Sequence, residues 1–452
     1  MTSPSSPSLS ALGEALLAAA RAAGAEAADA IVTDGARIDV EVRRGALEQA
    51  ERAEGIDLGL RVLIGRRQAC VSASDASERT ISEMAERAVA MAREAPEDPS
   101  VGLADPSQLA ADTDAAALDL ADPSPEPDPE ALVEAARTAE AAALAHDGIS
   151  QVDQAGASYG RRRIHLAATN GFSAGYARTD ASLVCVAIAG TGTGMERDHH
   201  YDSRTHRADL ASPEEIGRIA AERTLARRAP RRPPTGAYPV LYDERVSSSL
   251  IAHLLQAVNG GLVARGSSWA RDLMGERVLP EGMDLIEDPR RARVQGSRPF
   301  DAEGLPTGRS HIVRDGTLAR WVLDLGSARR LGLESTANAA RSPSSPPSPS
   351  SGNVELTQGS RTREDLMAEM GTGLLVTSMI GSTINPTTGD YSRGASGLWV
   401  ENGEPTHAIS ECTVAGNLRD MLRTILPAND ARPHLSRVVP SLLVEGLTIA
   451  GD

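Results

Sequence analysis

Hydrophobic positions recur with two different periods along the first hundred residues. Leu9, Leu12 and Leu16 follow helical spacing, and Gly24 predicts where that helix ends. Residues 56–64 instead alternate between apolar and other side chains, which is typical of a half-buried strand. The pattern therefore predicts a small layered unit of helices and sheet at the start of the chain.

Short turn signals predict where the strands reverse. Asn402-Gly403 lies between two apolar runs and is the strongest hairpin signal in the chain. Asp34-Gly35 and Asn170-Gly171 are interpreted as further turns. We expect a hairpin at each of these three positions.

Changes of composition divide the chain into an α+β protein of several parts. Residues 121–129 are acidic and proline-rich, and residues 230–236 are also rich in proline, as expected of connecting segments. The predicted parts are a small N-terminal α/β domain (1–107), an acidic proline-rich linker (108–129), a middle α/β domain (130–228), a second linker (229–236) and a larger β-rich C-terminal domain (237–452). The serine–proline run at 342–351 is expected to be a mobile loop.

The charge balance restricts the partners of the protein. Arginine supplies all 46 cationic side chains, since there is no lysine, and 62 Asp and Glu give a net charge of −16. Such a surface repels nucleic acid and anionic membranes. The missing lysine also excludes P-loop, protein-kinase and pyridoxal chemistry, each of which needs an amine.

The cysteines and the N-terminus indicate a cytoplasmic protein. Cys70, Cys185 and Cys412 are far apart and form no Cys-x-x-Cys pair, so neither a disulfide framework nor a zinc knuckle is expected. The first residues contain no basic segment of the kind that begins a signal peptide, and we expect no membrane span.

The densest group of metal-ligand side chains comprises His199, His200 and His206. On a strand, His200 and His206 would be about 20 Å apart, and on a helix they would point in different directions. Only an irregular loop could bring these imidazoles to one metal ion. A solvated, charged strand end is the alternative interpretation.

Several long motifs, occurring in order, resemble one family. They are residues 59–73 (GLRVLIGRRQACVSA), 247–268 (SSSLIAHLLQAVNGGLVARGSS), 296–304 (GSRPFDAEG), 385–403 (NPTTGDYSRGASGLWVENG) and 410–422 (SECTVAGNLRDML). Together they resemble the TldD/PmbA family, and specifically its PmbA branch, also called TldE. The resemblance extends from about residue 30 to the C-terminus.

The resemblance implies a metalloprotease subunit without its own zinc. The family's TldD-type subunit resembles a zinc peptidase with a His-Glu-x-x-x-His helix. That motif falls here on His253, Leu254 and Val258, so the glutamate and the second histidine are replaced by aliphatic residues. Such a helix cannot hold and activate a zinc-bound water. We therefore expect no catalytic residue and no cofactor in this chain, and zinc in the partner.

The implied function is that of one subunit of a heterodimeric protease. The family's enzyme cleaves unfolded peptides and matures modified peptides, and this subunit would close the chamber and position the substrate. We expect extended peptides to add a strand to an exposed edge of the C-terminal domain. The candidate substrate- or partner-facing residues are Arg265, Ser267, Ser268, Asn385, Asp390, Tyr391 and Arg393, with an ion pair expected between Asp390 and Arg393.

Other interpretations remain open from the sequence. Each of the candidate residues can serve ordinary turn chemistry instead. The chain could be a self-sufficient metallopeptidase that uses His199, His200 or His206. It could also be a non-enzymatic binding protein that forms homodimers, and homodimers are conceivable when the partner is missing.

Overall fold

The first half of the protein is one antiparallel sheet with helices on one face. The computed structural model describes residues 8–451. The helices of this half are Leu9–Ala23 (α1), Glu78–Glu94 (α2), Pro129–Leu144 (α3) and Pro213–Ala226 (α4). Its strands are Ala27–Arg43 (β1), Ala46–Ile64 (β2), Arg67–Ala73 (β3), Ile149–Ala168 (β4), Ser173–Ala189 (β5) and Glu196–Arg204 (β6). They pair in the order β3-β2-β1-β4-β5-β6.

Alternation along β1 decides which face the helices cover. Ala30 and Val32 pack with α1 and α2, and Ile38 and Val40 pack with α3 and α4. These positions are all even-numbered, so they lie on one face of the strand. Ile31, on the other face, packs with aromatic residues that include Phe300 of the second half. The first sheet thus presents its open face to the C-terminal half.

The hairpin predicted at Asp34-Gly35 is wrong. Both residues lie within β1, where Asp34 pairs with Ile56 and Gly35 with Gly55. The chain turns instead at Arg44-Gly45, where φ is 54° and 71°. Gly35 is needed for close approach, since an added Cβ would lie 2.5 Å from the carbonyl oxygen of Arg161. The glycine that indicated a turn therefore serves packing between strands.

The predicted domains at 1–107 and 130–228 share this sheet. Strand β1 of the first segment pairs with β4 of the second along fourteen residue pairs, from Asp29 with Ala168 to Val42 with Ala155. The connecting segment 108–129 is partly packed, because Leu118 and Leu120 are only 1% and 2% exposed. The domain division itself stays a prediction.

The second half combines a strand ring with short helices and smaller sheets. Its helices are Glu244–Ala257 (α5), Gly260–Ala264 (α6), Leu325–Leu331 (α7), Arg363–Met370 (α8) and Leu418–Arg423 (α9). Its strands are Gly236–Tyr242 (β7), Leu285–Glu287 (β8), Ser310–Arg314 (β9), Thr317–Leu318 (β10), Ala339–Ala340 (β11), Ser348–Pro349 (β12), Val354–Leu356 (β13), Gly373–Ile384 (β14), Asp390–Glu401 (β15), Glu404–Asn417 (β16), Leu426–Pro427 (β17), Arg437–Val438 (β18) and Leu442–Ala450 (β19). The fold is α+β, as predicted.

The main sheet of this half closes on itself. Its strands follow the order β16-β15-β14-β7-β19-β17, and β16 pairs in addition with β19. Five strands therefore form a ring, which removes most of the free edges that an open sheet would have. A second sheet has the order β10-β9-β8-β13-β18. The hairpin predicted at Asn402-Gly403 joins β15 to β16, with φ of 54° and 82° at the two turn residues.

The contacts of the serine–proline run contradict the prediction that residues 342–351 form a mobile loop. Strand β12 within the run pairs with β11. At its start, Pro343 lies so close to the first sheet that a Cβ added at Gly59 would be 2.5 Å from the Pro343 Cα. The run is therefore placed by contacts with both halves. Within residues 8–451, no helix has the length and hydropathy that crossing a membrane requires.

Candidate functional site

Helix α5 and its C-cap residue, Val258, carry the positions of the zinc-peptidase motif. The helix begins after Asp243, whose carboxylate accepts a hydrogen bond from the Arg245 backbone N–H at 3.2 Å. Leu254 and Val258 are both fully buried in the large C-terminal core. Their aliphatic side chains serve packing at the two positions where the motif requires a carboxylate and an imidazole.

His253 lies at the edge of this core in a setting that disfavours a cation. Its ring centroid is 6.1 Å from that of Tyr391, at an interplanar angle of 70°. Its Nε2 is buried and has no hydrogen-bond partner. Burial and then the charge of Arg393 lower the pKa of His253 to about 4, so the imidazole is neutral at pH 7. A guanidinium near this ring would repel a metal ion.

These residues do not fit a zinc site. His253 offers one nitrogen, and Leu254 and Val258 offer no donor atom, whereas zinc sites use three or four ligands. Within residues 8–451, no group of three or more His, Cys, Asp or Glu side chains is placed to hold a metal.

Tyr391 and Arg393 lie near His253, and Met379 contacts Tyr391. The Tyr391 hydroxyl donates to the Met379 Sδ at 3.4 Å, and burial raises the pKa of Tyr391 to about 12. The Arg393 Nε donates to the Gly381 carbonyl oxygen at 2.7 Å. The structure thus brings together three residues on which the prediction depends, His253, Tyr391 and Arg393. Sequence reasoning missed Met379, because an isolated methionine in a strand carries no chemical signal.

The turn between β14 and β15 is held by its own side chains. The Asn385 side-chain oxygen accepts from the Thr387 N–H at 2.9 Å. Asp390 accepts from the Thr388 hydroxyl at 2.7 Å and from the Asn417 amide at 3.0 Å. These hydrogen bonds, first that from Thr388, lower the pKa of Asp390. In the structure, Asn385 and Asp390 therefore perform turn chemistry.

The ion pair expected between Asp390 and Arg393 is wrong. The two residues are three apart on β15, so alternation places them on opposite faces. Arg393 donates to a β14 carbonyl, whereas Asp390 bonds within the turn.

Ser268 is buried, and the next residue, Trp269, contacts the turn between β14 and β15. Its side chain is 1% exposed, and its hydroxyl donates to the Ala257 carbonyl oxygen while accepting from the Ala270 N–H. The next backbone N–H, that of Trp269, donates to the Pro386 carbonyl oxygen at 2.7 Å. The segments containing Ser268 and Asn385 are thus adjacent, as the prediction of one lining requires.

The other two candidates of this segment are Ser267 and Arg265, which follow α6. The Ser267 backbone N–H closes α6 by donating to Leu262. Arg265 ends α6 and lines a separate small cavity together with Arg61 and Glu303. Arg265 therefore does not share the surroundings of His253.

One strand edge near His253 is left without a partner. Strand β7 pairs with β14 only from Leu374 to Val376. In the part of the chain that the structure describes, no strand pairs with this side of β14 at residues 377–384. Ile380 lies on this stretch and is 72% exposed. The edge offers backbone hydrogen-bonding groups to an added strand.

The three histidines of the alternative metal site make separate contacts. His199 and His200 are consecutive on β6, so they lie on opposite faces. The His200 Nδ1 is 2.9 Å from the Arg223 guanidinium, and burial followed by that charge lowers the pKa of His200 to about 4. The His206 Nε2 is 3.1 Å from the Asp119 carbonyl oxygen.

The sequence matches the models of one known family along most of its length. The "PmbA/TldA metallopeptidase C-terminal domain" matches residues 235–451, the central domain matches 122–228 and domain 1 matches 28–92. The chain belongs to the PmbA/TldD metallopeptidase family. Within it, the chain is of the PmbA/TldE branch, because it is 36% identical to metalloprotease PmbA of Escherichia coli O157:H7, covering 96% of this chain and 94% of that protein.

A further relative agrees in sequence, and two solved structures agree in fold. A metalloprotease PmbA homolog of Haemophilus influenzae is 34% identical, over 95% of this chain and 93% of its own length. A Bacteroides thetaiotaomicron crystal structure, described as a proposed modulator of DNA gyrase, has a TM-score of 0.89 at 26% identity, covering 98% of both chains. TldE of Thermococcus kodakarensis has the same fold, with a TM-score of 0.84 at 20% identity, covering 97% of this chain and 100% of that one.

Proposed function

We propose that this PmbA/TldE-type chain is the subunit without zinc in a heterodimeric peptidase whose TldD-type partner carries the metal. The observation that carries the proposal is the burial of Leu254 and Val258 at the positions where a zinc peptidase needs its base and second ligand. The neutral imidazole of His253, near the charge of Arg393, supports it. The three cysteines are free thiols, which supports a cytoplasmic location.

The role of this subunit is to hold extended peptides beside the partner's zinc. The unpaired edge of β14 at residues 377–384 would receive a peptide as an added strand. Backbone pairing is largely blind to sequence, which suits the cleavage of unfolded peptides and the maturation of modified ones. Tyr391 and Arg393 lie on β15, the paired neighbour of β14, and Arg393 bonds the Gly381 carbonyl oxygen of β14.

The first experiment separates the subunits. The purified chain is analysed for zinc and assayed with unfolded peptides, alone and after mixing with a TldD-type subunit from the same source. We expect well below one zinc per chain, no cleavage alone, and cleavage with stoichiometric zinc in the mixture. Stoichiometric zinc and cleavage by the isolated chain would contradict the proposal.

The second experiment tests the peptide edge. Arg393→Ala removes the guanidinium that bonds β14, and we expect the assembled enzyme to lose peptide cleavage while its zinc content stays the same. Arg218→Ala is the matched control, because Arg218 is an exposed arginine on α4 that pairs with Glu222 of the same helix. Equal turnover in both variants, with both folded, would remove Arg393 from the site.

A further inference from the structure

A second concave site lies away from His253, between the two halves of the protein. Its volume is about 580 Å³, a size typical of small-molecule sites. The open face of the first sheet contributes Ile31, Ile164 and Leu166 to one wall. Phe300 and neighbouring residues of the C-terminal half form the other. We refer to this space as the interface cavity.

One part of the interface cavity is aromatic. Tyr176 and Phe300 both line it, with their ring centroids 5.7 Å apart at an interplanar angle of 78°. Phe172 braces Phe300 from the side, at 5.0 Å and 71°. These are stable edge-to-face arrangements, so the wall is preformed. The chain has only two phenylalanines, and both stand here. This wall suits a hydrocarbon group.

The remaining lining is strongly cationic. Five arginines line the interface cavity: Arg162, Arg178, Arg298, Arg341 and Arg437. Among the described residues, only Arg341 of these five forms an ion pair, with the buried Asp29. Arg162 donates to the Thr33 hydroxyl and Arg298 to the carbonyl oxygens of Ala339 and Ser350, which are neutral acceptors. Most of this positive charge is therefore uncompensated.

Two of these arginines lie side by side on adjacent strands. Arg162 on β4 and Arg178 on β5 are direct cross-strand partners. Like charges at such positions are unfavourable unless an anion lies between them. The Nε of Arg298 and the Nε and Nη2 of Arg341 are also buried without an acceptor. The arginines that line the interface cavity therefore have too little negative charge beside them.

The single carboxylate in the lining is buried, and within the described chain it interacts with the charge of only one of the five arginines, Arg298. Among residues 8–451, Asp301 is the only acidic residue of the wall, and it is 1% exposed. Its oxygens accept from the backbone N–H groups of Glu303, Leu305 and Ala339. Burial raises the pKa of Asp301 above its usual value. Its role is to hold loops of the C-terminal half in place.

We propose that the interface cavity binds a small organic anion, whose carboxylate or phosphate lies between Arg162 and Arg178 and whose hydrocarbon part packs against Phe300 and Tyr176. Guanidinium groups bind both anions in bidentate fashion. A cationic cavity in a protein of net charge −16 concentrates such ligands against the general field. This site is independent of the peptidase role, since neither His253 nor the β14 edge contributes to it.

The test uses three probes of similar size on the unaltered full-length protein. They are N-acetylphenylalanine, which has a carboxylate, its neutral amide, and phenyl phosphate, and binding is measured by calorimetry. We expect saturable binding of at least one anion and binding of the amide at least about tenfold weaker. The tighter of the two anions identifies the natural group as carboxylate or phosphate. Binding of the amide as tight as that of the acid, or no saturable binding of either anion, would overturn the proposal.

Variants then locate the site. Arg162→Gln and Arg178→Gln, singly and together, should weaken the anion at least about tenfold. Arg161→Gln is the matched control, because Arg161 is the next residue on β4 and alternation places it on the opposite face. Unchanged affinity in the folded double variant would place the anion elsewhere and refute the assignment. Because the comparison of acid with amide needs no variant, the proposal remains testable even where a variant fails to fold.

Discussion

Asp29 of the first sheet pairs with Arg341 of the C-terminal half, 312 residues further along the chain. The two side chains are 5% and 0% exposed. Asp29 also accepts from the Arg61 Nε at 2.7 Å, so one carboxylate serves two buried guanidiniums. This triad links the halves just before the start of the serine–proline run, whose Pro343 lies against Gly59.

Asp29→Asn should therefore destabilise the protein strongly. It leaves two buried cations without their counter-ion, a loss of about 3–5 kcal/mol in the free energy of unfolding. Urea denaturation measures it. Asp39→Asn is the control, because Asp39 pairs with Arg37 at an exposed position and should cost at most about 1 kcal/mol. Equal effects of the two substitutions would show that the triad contributes nothing special.

The same triad predicts a dependence of stability on acid. Burial alone would raise the pKa of Asp29, but the charges of Arg61 and Arg341 outweigh it and lower the pKa below its usual 3.8. A lowered folded-state pKa stabilises the protein above the unfolded value. This contribution is present above pH 3.8 and is lost as the pH falls through the folded-state pKa. Acid unfolding curves of Asp29→Asn should lack this component, and an unchanged acid transition would contradict the pairing.

The charge of Arg393 should have a measurable effect on the pKa of His253. Burial and Arg393 hold the pKa of His253 at about 4, against a usual 6.5. Arg393→Gln should raise this pKa but leave it below 6.5, because burial, the larger cause, remains. Imidazole NMR titration measures the change, and His165, whose pKa is lowered mainly by burial, is the internal control. A His253 pKa that does not move would show that Arg393 lies too far from the ring to act.

The lowered pKa of His253 predicts the direction in which the stability of the protein changes with pH. The unfolded chain binds a proton near pH 6.5, whereas the folded chain resists it until about pH 4. The stabilising contribution is therefore complete above pH 6.5 and declines as the pH falls toward 4. His253→Phe should flatten this part of the curve of unfolding free energy against pH.

Gly59→Ala should displace the serine–proline run. The new Cβ would meet the Pro343 backbone, which cannot move aside as a flexible side-chain end would. We expect a loss of about 1–3 kcal/mol in stability and faster proteolysis within residues 342–351. Gly55→Ala on the same strand is the control, since nothing lies within 4 Å of its added Cβ. Identical proteolysis of the two variants would contradict the packing of the run on the sheet.

Ser268→Ala should affect folding rather than substrate handling. It leaves the Ala270 N–H without its acceptor and the Ala257 carbonyl without its donor, at a cost of about 1–3 kcal/mol. Peptide cleavage per folded enzyme should be unchanged. Ser267→Ala should alter neither property. A selective loss of cleavage in Ser268→Ala would return this residue to the list of substrate contacts.

Local signals in the sequence were sufficient for many elements. Helix α1 ends at Gly24 with φ of 101°, and the hairpin at Asn402-Gly403 forms as predicted, because each depends on residues close together in the chain. Asp34-Gly35 misled for a physical reason. A glycine permits either a turn or close contact between strands. Gly35 lies within the 17-residue strand β1 and serves close contact.

The candidate site was predictable only in part. Motif positions placed His253, Leu254 and Val258 on one helix. The structure has His253 and Leu254 in α5 and Val258 at its C-cap. Tyr391 and Arg393 reach His253 through packing of β15 against α5, which no local pattern encodes. The interface cavity was beyond prediction, since its arginines come from positions as distant as Arg162 and Arg437.

The pairing of β1 with both β2 and β4 also limits how the protein can be divided. A fragment that stops at residue 107 would keep β1 but lose β4, and the strand would become an unprotected border along fourteen positions. Such a fragment should self-associate or aggregate. We therefore expect residues 8–228 to fold as one unit, with no independent module ending at residue 107.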